Sequence, residues 1–286
     1  MQLKQAIDSA YELFLQNDVP SPRLNAELLM MFVLGRDRAH LYAHPERELT
    51  PDEESRYAEV TAERTRGCPT QYITGHQEFW GLDLIVSPAV LIPRPETEHA
   101  VETVLELVKE HYREHPARLR IVDVGTGSGC IALALASELP QAEIHACDIS
   151  EEALEVARIN SIRLGLNKRV MFRQSDLLAA YDGETFDIVV SNPPYVGESE
   201  ADKVQRQVRE FKPKVAVFSG QEGMDIYRRL IPKAVESLAP GGWFVTEIGF
   251  SAEEKVRQLL SGWSEVRTTA DLQGIPRVIA ARKLGN

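Results

Sequence analysis

The sequence predicts an α/β fold, with a small all-helical region ahead of an open, largely parallel sheet. Three observations carry that prediction. Between Leu119 and Ser191 short apolar runs alternate with helical segments, as βα repeats require. Four successive runs end at Gly125, Asp148, Asp176 and Asn192, polar or glycine positions on the edge where such sheets bind ligands. The first ~75 residues show helical spacing and no strand-like alternation.

The helical region is read first. Ala6, Ile7, Ala10, Leu13 and Phe14 share one helical face. Ser21-Pro22 reads as an N-cap followed by proline in the first turn, opening a helix that carries Leu24, Leu28, Leu29, Met31 and Phe32 and stops at Gly35. Thr50-Pro51-Asp52-Glu53 has the capping-box pattern, and its helix ends near Gly67. These stripes are most simply the core of a small bundle and do not by themselves mark a binding surface. His76–Ser87 alternates apolar and polar residues around Gly81, the pattern of a β-hairpin. The expected organisation is a helical domain over 1–75, a hairpin linker over 76–90 and an α/β domain over 91–286. His111–Arg118, charged and containing Pro116, reads as a surface connection.

In the α/β part, Leu119–Val124 is the first strand. Gly125-Thr126-Gly127-Ser128-Gly129 and the apolar helix Cys130–Leu139 follow it. Glycines after a strand let the backbone approach a ligand closely, and the next helix offers free N–H groups. The dinucleotide fingerprint would need glycine where Cys130 stands, so the spacing is G-x-G-x-G. From the loop alone, phosphate binding stays open. The strand Glu143–Cys147 ends at Asp148, which could accept bonds from both hydroxyls of a ribose or cap the helix near Glu151. Val170–Gln174 ends at Ser175-Asp176, and the fourth strand runs into Asn192-Pro193-Pro194-Tyr195. Val196–Gln221 is then too long for a plain connector. Helix Met224–Leu238, a turn at Pro240-Gly241-Gly242, strand Trp243–Ile248, helix Ala252–Leu260 and the closing strands Val266–Thr269 and Arg277–Arg282 complete the chain.

Asn192–Tyr195 supplies what alkylating a planar –NH₂ group requires. The lone pair of such a nitrogen is delocalised into the adjoining π-system, so it is a poor nucleophile unless held and oriented. Asn192 offers a side-chain carbonyl acceptor, the prolines offer backbone carbonyls without a competing N–H, and Tyr195 offers a flat apolar face. Taken alone, the tetrapeptide is equally a strand ended by a Pro-Pro turn.

The order Asp123-x-Gly125-x-Gly127-x-Gly129, Asp148, Asp176, Asn192-Pro193-Pro194-Tyr195 resembles class I S-adenosylmethionine-dependent methyltransferases with an amino-group target. Leu91-Ile92-Pro93-Arg94-Pro95-Glu96-Thr97-Glu98 narrows the resemblance, as does the run from Gln71-Tyr72-Ile73-Thr74-Gly75 through Phe79 to Gly81. Together they closely resemble the HemK/PrmC family, glutamine methyltransferases of peptide chain release factors. The likeness extends over essentially the whole chain, to Asp271-Leu272-Gln273-Gly274 and Arg277. Asn-Pro-Pro-Tyr alone is shared with adenine-N6 methyltransferases; its combination with residues 91–98 is far more specific.

The resemblance implies a seven-stranded Rossmann-like methyltransferase sheet with one antiparallel strand at its end. It implies methyl transfer from S-adenosylmethionine, leaving S-adenosylhomocysteine, to the side-chain N5 of the glutamine in the Gly-Gly-Gln motif of class I release factors. By the same resemblance the Asn192 side-chain oxygen and the Pro193 carbonyl accept the two amide hydrogens, Pro194 completes the substrate site and Tyr195 packs on the amide plane. Gly125, Thr126, Gly127, Ser128 and Gly129 pass beneath the methionine part, Asp148 binds the ribose, Asp176 and Leu177 border the adenine, and Asn192 also borders the cofactor. Residues 1–75 then recognise the protein substrate. One departure is Lys212 before Pro213, where the family commonly has an acid; this bears on substrate contact and not on the chemistry.

Bulk properties restrict the alternatives. A chain of 286 residues with 43% hydrophobic content is expected to be globular and of two domains. No apolar run approaches the roughly 20 residues of a membrane span, and the amphipathic, acid-containing N-terminus is unlike a signal peptide. Cys68, Cys130 and Cys147 lack metal-ligand spacing and disulfide density, which is expected of a reducing cytoplasm. The seven histidines are scattered along the chain, and no metal is expected. A net charge of −11 argues against stable nucleic-acid binding. Lys203, Arg206, Arg209, Lys212 and Lys214 still cluster after the motif, as a solvated face or a local patch. An adenine-N6 methyltransferase would need a target-reading domain and a basic face. A non-catalytic nucleotide-binding adaptor would have no need of intact Asn192–Tyr195 beside intact glycines.

Overall fold

The computed structural model describes residues 1–112, 119–199, 211, 213 and 216–285. The basic residues Lys203, Arg206, Arg209, Lys212 and Lys214 lie outside the described residues. The chain forms two compact units that divide after His76.

The first unit is helical, with helices Leu3–Gln16, Pro22–Leu34, Arg38–Ala43, Pro51–Thr65 and Thr70–Thr74. Ala6, Ile7, Ala10 and Phe14 pack with Leu29, Met30, Val33, Leu41 and Tyr57 in one core. The Thr50–Glu53 capping box is present in both directions. Three expectations change. Ser21 makes no side-chain cap bond and sits in the left-handed region at φ 48; Asn25 Nδ2 donates instead to the carbonyls of Pro20 and Ser21. Leu24 and Phe32 are exposed, while Ala26, Leu29, Met30 and Val33 are buried. An almost wholly apolar run from Leu28 to Leu34 could not say which face turns inward. Arg38–Ala43 and Thr70–Thr74 were missed, because so few residues show no period. The Asp37 carboxylate, accepting from His40 N at 2.9 Å, is the signal that starts the first of them.

A buried carboxylate stands in this unit. Glu27 is 1% exposed and accepts from Arg23, Arg38 and Tyr42 at 2.8–2.9 Å. Burial pushes its pKa up, and the three donors more than offset this, so it is held below the usual carboxylate range.

The second unit opens with a hairpin, β1 (His76–Phe79) and β2 (Leu82–Ile85). Its sheet contains β3 (Arg120–Val124), β4 (Glu143–Asp148), β5 (Val170–Gln174), β6 (Phe186–Ser191), β7 (Leu238–Glu247), β8 (Glu265–Ala270) and β9 (Pro276–Arg282). The spatial order is β5-β4-β3-β6-β7-β9-β8. β9 runs antiparallel to both β7 and β8, and the remaining pairs are parallel. The antiparallel strand is therefore the last in the chain but lies one place in from the edge.

Both faces of the sheet are covered. Along β6, Ile188 and Val190 join the core that holds helix Cys130–Glu138, while Val189 joins the opposite core with Tyr227, Leu230 and Ile231 of helix Asp225–Ser237. Such two-sided burial requires the continuous apolar run Ile188–Val190, and each residue contributes about 1.5–3 kcal/mol. The chain reverses its direction of travel across the sheet between β3 and β6, so the crevice for a ligand opens at their C-terminal ends. Ser191 Oγ donates to the Val124 carbonyl at 2.7 Å and ties those ends together.

Pro240-Gly241-Gly242 is not a turn before β7 but an irregularity within it. Phe186 pairs with Leu238, and Ile188 with Trp243. A Cβ on Gly242 would lie 2.9 Å from the Asp187 carbonyl, so only glycine lets the bulged strand close on β6. In the same unit, Asn160 is wholly buried on helix Glu151–Arg163. It accepts from Ile85 N at 2.7 Å and donates to the carbonyls of Ile85 and Ser128 at 3.0 and 2.9 Å.

Candidate active site

The glycine loop is shaped by the ends of two strands. Gly125 N and Thr126 N both donate to the Cys147 carbonyl at the end of β4, at 2.8 and 2.9 Å. Gly125, Gly127 and Gly129 all have positive φ, which favours glycine over any residue with a Cβ. A Cβ on Gly125 or Gly127 would meet no protein atom within 4 Å, whereas one on Gly129 would press Leu133 and Ala157. Gly129 thus serves helix packing, and the other two leave room for something to lie close against the backbone.

Asp123 lies beneath the loop, 1% exposed. Its Oδ2 accepts from Thr126 Oγ1 at 2.6 Å and Ala132 N at 3.3 Å, while buried Oδ1 has no partner. Burial pushes its pKa up to about 7. Asp148 accepts from Gly127 N at 2.9 Å and Ser150 N at 3.0 Å. The helix after it is capped by Ser150, whose Oγ accepts from Ala153 N, so Asp148 is not the cap. Burial also raises the Asp148 pKa, against three backbone donors. Asp176 accepts from Arg229 at 2.6 Å, and Leu177 beside it takes a positive φ of 54, an uncommon conformation that clusters at functional sites.

Most of these residues, though not Asp123, share one cavity of about 200 Å³. Its lining includes Gly125–Ser128, Asp148, Asp176, Leu177, Asn192, Pro193 and Pro194. Gly129 and Tyr195 do not line it. Arg94 and Thr97, from the 91–98 segment, do. A cradle open over Gly125 and Gly127, with the carboxylates of Asp148 and Asp176 at two neighbouring strand ends, fits a polar nucleoside ligand.

The Asn192 corner is held by a chain of hydrogen bonds. Asn192 Nδ2 donates to Thr97 Oγ1 at 2.9 Å, and Thr97 Oγ1 donates to Glu247 Oε2 at 2.6 Å. The Tyr195 hydroxyl donates to Glu247 Oε1 at 3.1 Å, and its ring lies where a Cβ on Gly249 would come within 3.1 Å. Glu247, 2% exposed, ends β7; burial pushes its pKa up to about 7, with Thr97 and Tyr195 opposing. Sequence reading missed Thr97 and Glu247. The signal was available for Glu247: a lone acid closes an otherwise buried apolar strand, on the edge that holds Asp148, Asp176 and Asn192. After Tyr195 the chain pairs through Val196 N to the Val217 carbonyl and Ser219 N to the Val196 carbonyl, so this part of the connection is ordered by backbone bonds.

Among the described residues no group of three or more His, Cys, Asp or Glu could hold a metal ion, and no helix is long and apolar enough to cross a membrane. The three cysteines are free.

Family models match in three places: the PrmC N-terminal domain over residues 5–75, the methyltransferase small domain over 98–212, and the Eco57I restriction-modification methylase over 164–263. The chain is 56% identical to a release factor glutamine methyltransferase of Koribacter versatilis (strain Ellin345), over 99% of each chain. It is 37% identical to one of Geobacter sulfurreducens, over 98% of this chain and 96% of that one. Among solved structures, the hMettl16 catalytic domain in complex with MAT2A 3'UTR hairpin 1 aligns with a TM-score of 0.57 at 19% identity, covering 79% of this chain and 81% of that one. At that identity the likeness concerns the fold alone.

Proposed function

The chain belongs to the PrmC family of release factor glutamine methyltransferases, and from that premise we propose how its site performs the family's reaction. The protein methylates the side-chain amide N5 of the glutamine in the Gly-Gly-Gln motif of class I release factors. The observation that carries the site assignment is the orientation of Asn192. Its Nδ2 is committed to Thr97, which leaves Oδ1 of a cavity-lining side chain as an acceptor with no protein donor among the described residues.

S-adenosylmethionine, when bound, supplies an electrophilic methyl group. The residues that would hold it are Gly125–Ser128 beneath the methionine part, Asp148 at the ribose, and Asp176 with Leu177 beside the adenine, with Asn192 bordering the reacting end; Gly129, expected in this set, packs on Leu133 and Ala157 instead. Asp123, buried beneath the loop, holds it through Thr126 Oγ1. Asn192 Oδ1 and the Pro193 carbonyl accept the two amide hydrogens, which turns the nitrogen lone pair toward the electrophile. Pro194 confines the plane of the amide, and Tyr195, which does not line the cavity, supports the site through Glu247. Fixing the reacting atoms this way contributes up to roughly 7–11 kcal/mol relative to free encounter. No base acts beforehand, because the nitrogen becomes acidic only as it is alkylated; one of its two hydrogens then leaves as a proton to water.

Residues 1–75, matched by the PrmC N-terminal model, recognise the protein substrate in this reading, with 76–90 as linker and 91–286 catalytic. The setting is cytoplasmic, where that substrate acts. A second reading, methylation of adenine N6, is favoured by the Eco57I match across Asn192–Tyr195; a net charge of −11 weighs against it. Mass spectrometry of a class I release factor incubated with enzyme and S-adenosylmethionine decides, with methylated DNA scored in parallel. A single added methyl on the Gly-Gly-Gln glutamine is expected. Methylated adenine with unmodified glutamine would overturn the reading.

A further inference from the structure

We propose that Thr97 and Glu247 act as positioning residues, forming a relay whose proton order locks the Asn192 amide with its oxygen toward the substrate. The proposal rests on the reading that Asn192 accepts a hydrogen from the substrate amide.

An ionised carboxylate has only acceptors. The Thr97 hydroxyl hydrogen must therefore point at Glu247 Oε2, 2.6 Å away, and the Tyr195 hydroxyl hydrogen at Oε1. Thr97 Oγ1 then has only lone pairs left for its other neighbour, Asn192, 2.9 Å away. It takes the –NH₂ of that amide and repels the oxygen. The two ends of an asparagine amide have nearly the same shape, so packing alone does not choose between them; the relay does. A proton on Glu247 Oε2 reverses the order. That O–H donates to Thr97, whose own hydrogen turns toward Asn192 and draws the amide oxygen inward. The Asn192 –NH₂ then faces the substrate –NH₂, donor against donor. The relay works only while Glu247 is charged.

The groups facing Glu247 are Thr97, Tyr195, Arg277 on β9, Glu96, Cys130 and Tyr227, whose hydroxyl donates to the Glu247 main-chain carbonyl at 2.8 Å. Only Arg277 is cationic, and burial dominates, which brings the titration to about 7. Asp123 beneath the glycine loop titrates in the same range, so pH dependence needs a control.

The experiment is steady-state methylation of a class I release factor at saturating S-adenosylmethionine, with melting temperature and cofactor Kd on the same preparations. Thr97→Val, which keeps shape and removes the hydroxyl, should lower kcat by about ten- to hundredfold with cofactor Kd within about twofold. Thr97→Ser should recover most of that loss. Wild-type kcat should fall as pH drops below about 7, and this limb should vanish in Thr97→Val and in Glu247→Gln, which titrates no proton. A Thr97→Val enzyme with wild-type kcat, or a limb that persists in both variants, overturns the relay. If Thr97→Val does not fold, the profile of Glu247→Gln decides alone. Asn192→Ala is the reference: its activity surviving would refute the site reading itself, a different failure.

Discussion

Two buried glutamates, one in each unit, have opposite surroundings. Glu27 in the helical unit is covered by its own partners, Arg23 and Arg38, which stay half-exposed, and by Tyr42. Glu247 in the α/β unit receives only the neutral hydroxyls of Thr97 and Tyr195. The first is held in its charged form and helps the bundle fold. The second is charged at a cost to folding, and it sits behind Asn192, the residue proposed to meet substrate. A buried acid with cationic partners is a structural device, and one with neutral partners is poised to act.

The largest expected effect lies at the residue Glu247 supports. Asn192→Ala should lower single-turnover methylation by about one hundredfold or more, with little change in melting temperature. A destabilised variant whose folded fraction reacts at the wild-type rate would return Asn192 to the role of a strand-ending turn and remove the contrast.

The two glutamates should then shift stability in opposite directions. The folded-state pKa of Glu247 is raised from 4.5 to about 7, so its ionisation opposes folding above that range. Glu247→Gln should therefore stabilise the protein at pH 8 by up to about 3 kcal/mol, and the gain should fade as pH falls toward the unfolded value. Cofactor binding to Asp148→Ala should weaken by about 1.5–3 kcal/mol, measured by calorimetry, because the charged acceptor proposed for the ribose is lost. The folded pKa of Glu27 is depressed, so its stabilisation is present above the unfolded value and lost as pH falls through the folded one. Glu27→Gln should destabilise by about 1–2 kcal/mol at neutral pH, discounted because its arginines face solvent. Urea titrations at pH 5 and pH 8 check both signs; equal signs would erase the comparison.

The smallest expected effect is none. A chain beginning near Gln71 should bind S-adenosylmethionine as the full chain does, while methylating intact release factor poorly. Undiminished methylation would show that residues 1–70 do not recognise the substrate.

Much of this architecture was legible in the sequence because it rests on period and punctuation. The strands near 119, 143 and 170 are short, apolar-rich runs between glycines and acids, and each lies within a residue or two of its expected bounds. Residues 125–128, 148, 176 and 192–194 could be placed around one cavity because each follows a strand end on the same edge. What could not be read depends on tertiary contact. Which face of helix Pro22–Leu34 turns inward is settled by Glu27 and its arginines, not by the apolar residues that surround it in the chain. The Thr97–Glu247 bond joins residues 150 positions apart. Pro240-Gly241-Gly242 has the composition of a turn, yet pairing with β6 draws it into a strand.

Asn160 gives the hairpin a stake in the glycine loop. Its one amide serves as the missing neighbour strand for Ile85 and at the same time grips the loop carbonyl of Ser128. Any ligand that quiets the glycine loop must also slow the opening of Ile85. The amide of Ile85, outside the cavity, should thus gain hydrogen-exchange protection when cofactor is added, and lose that gain in Asn160→Leu.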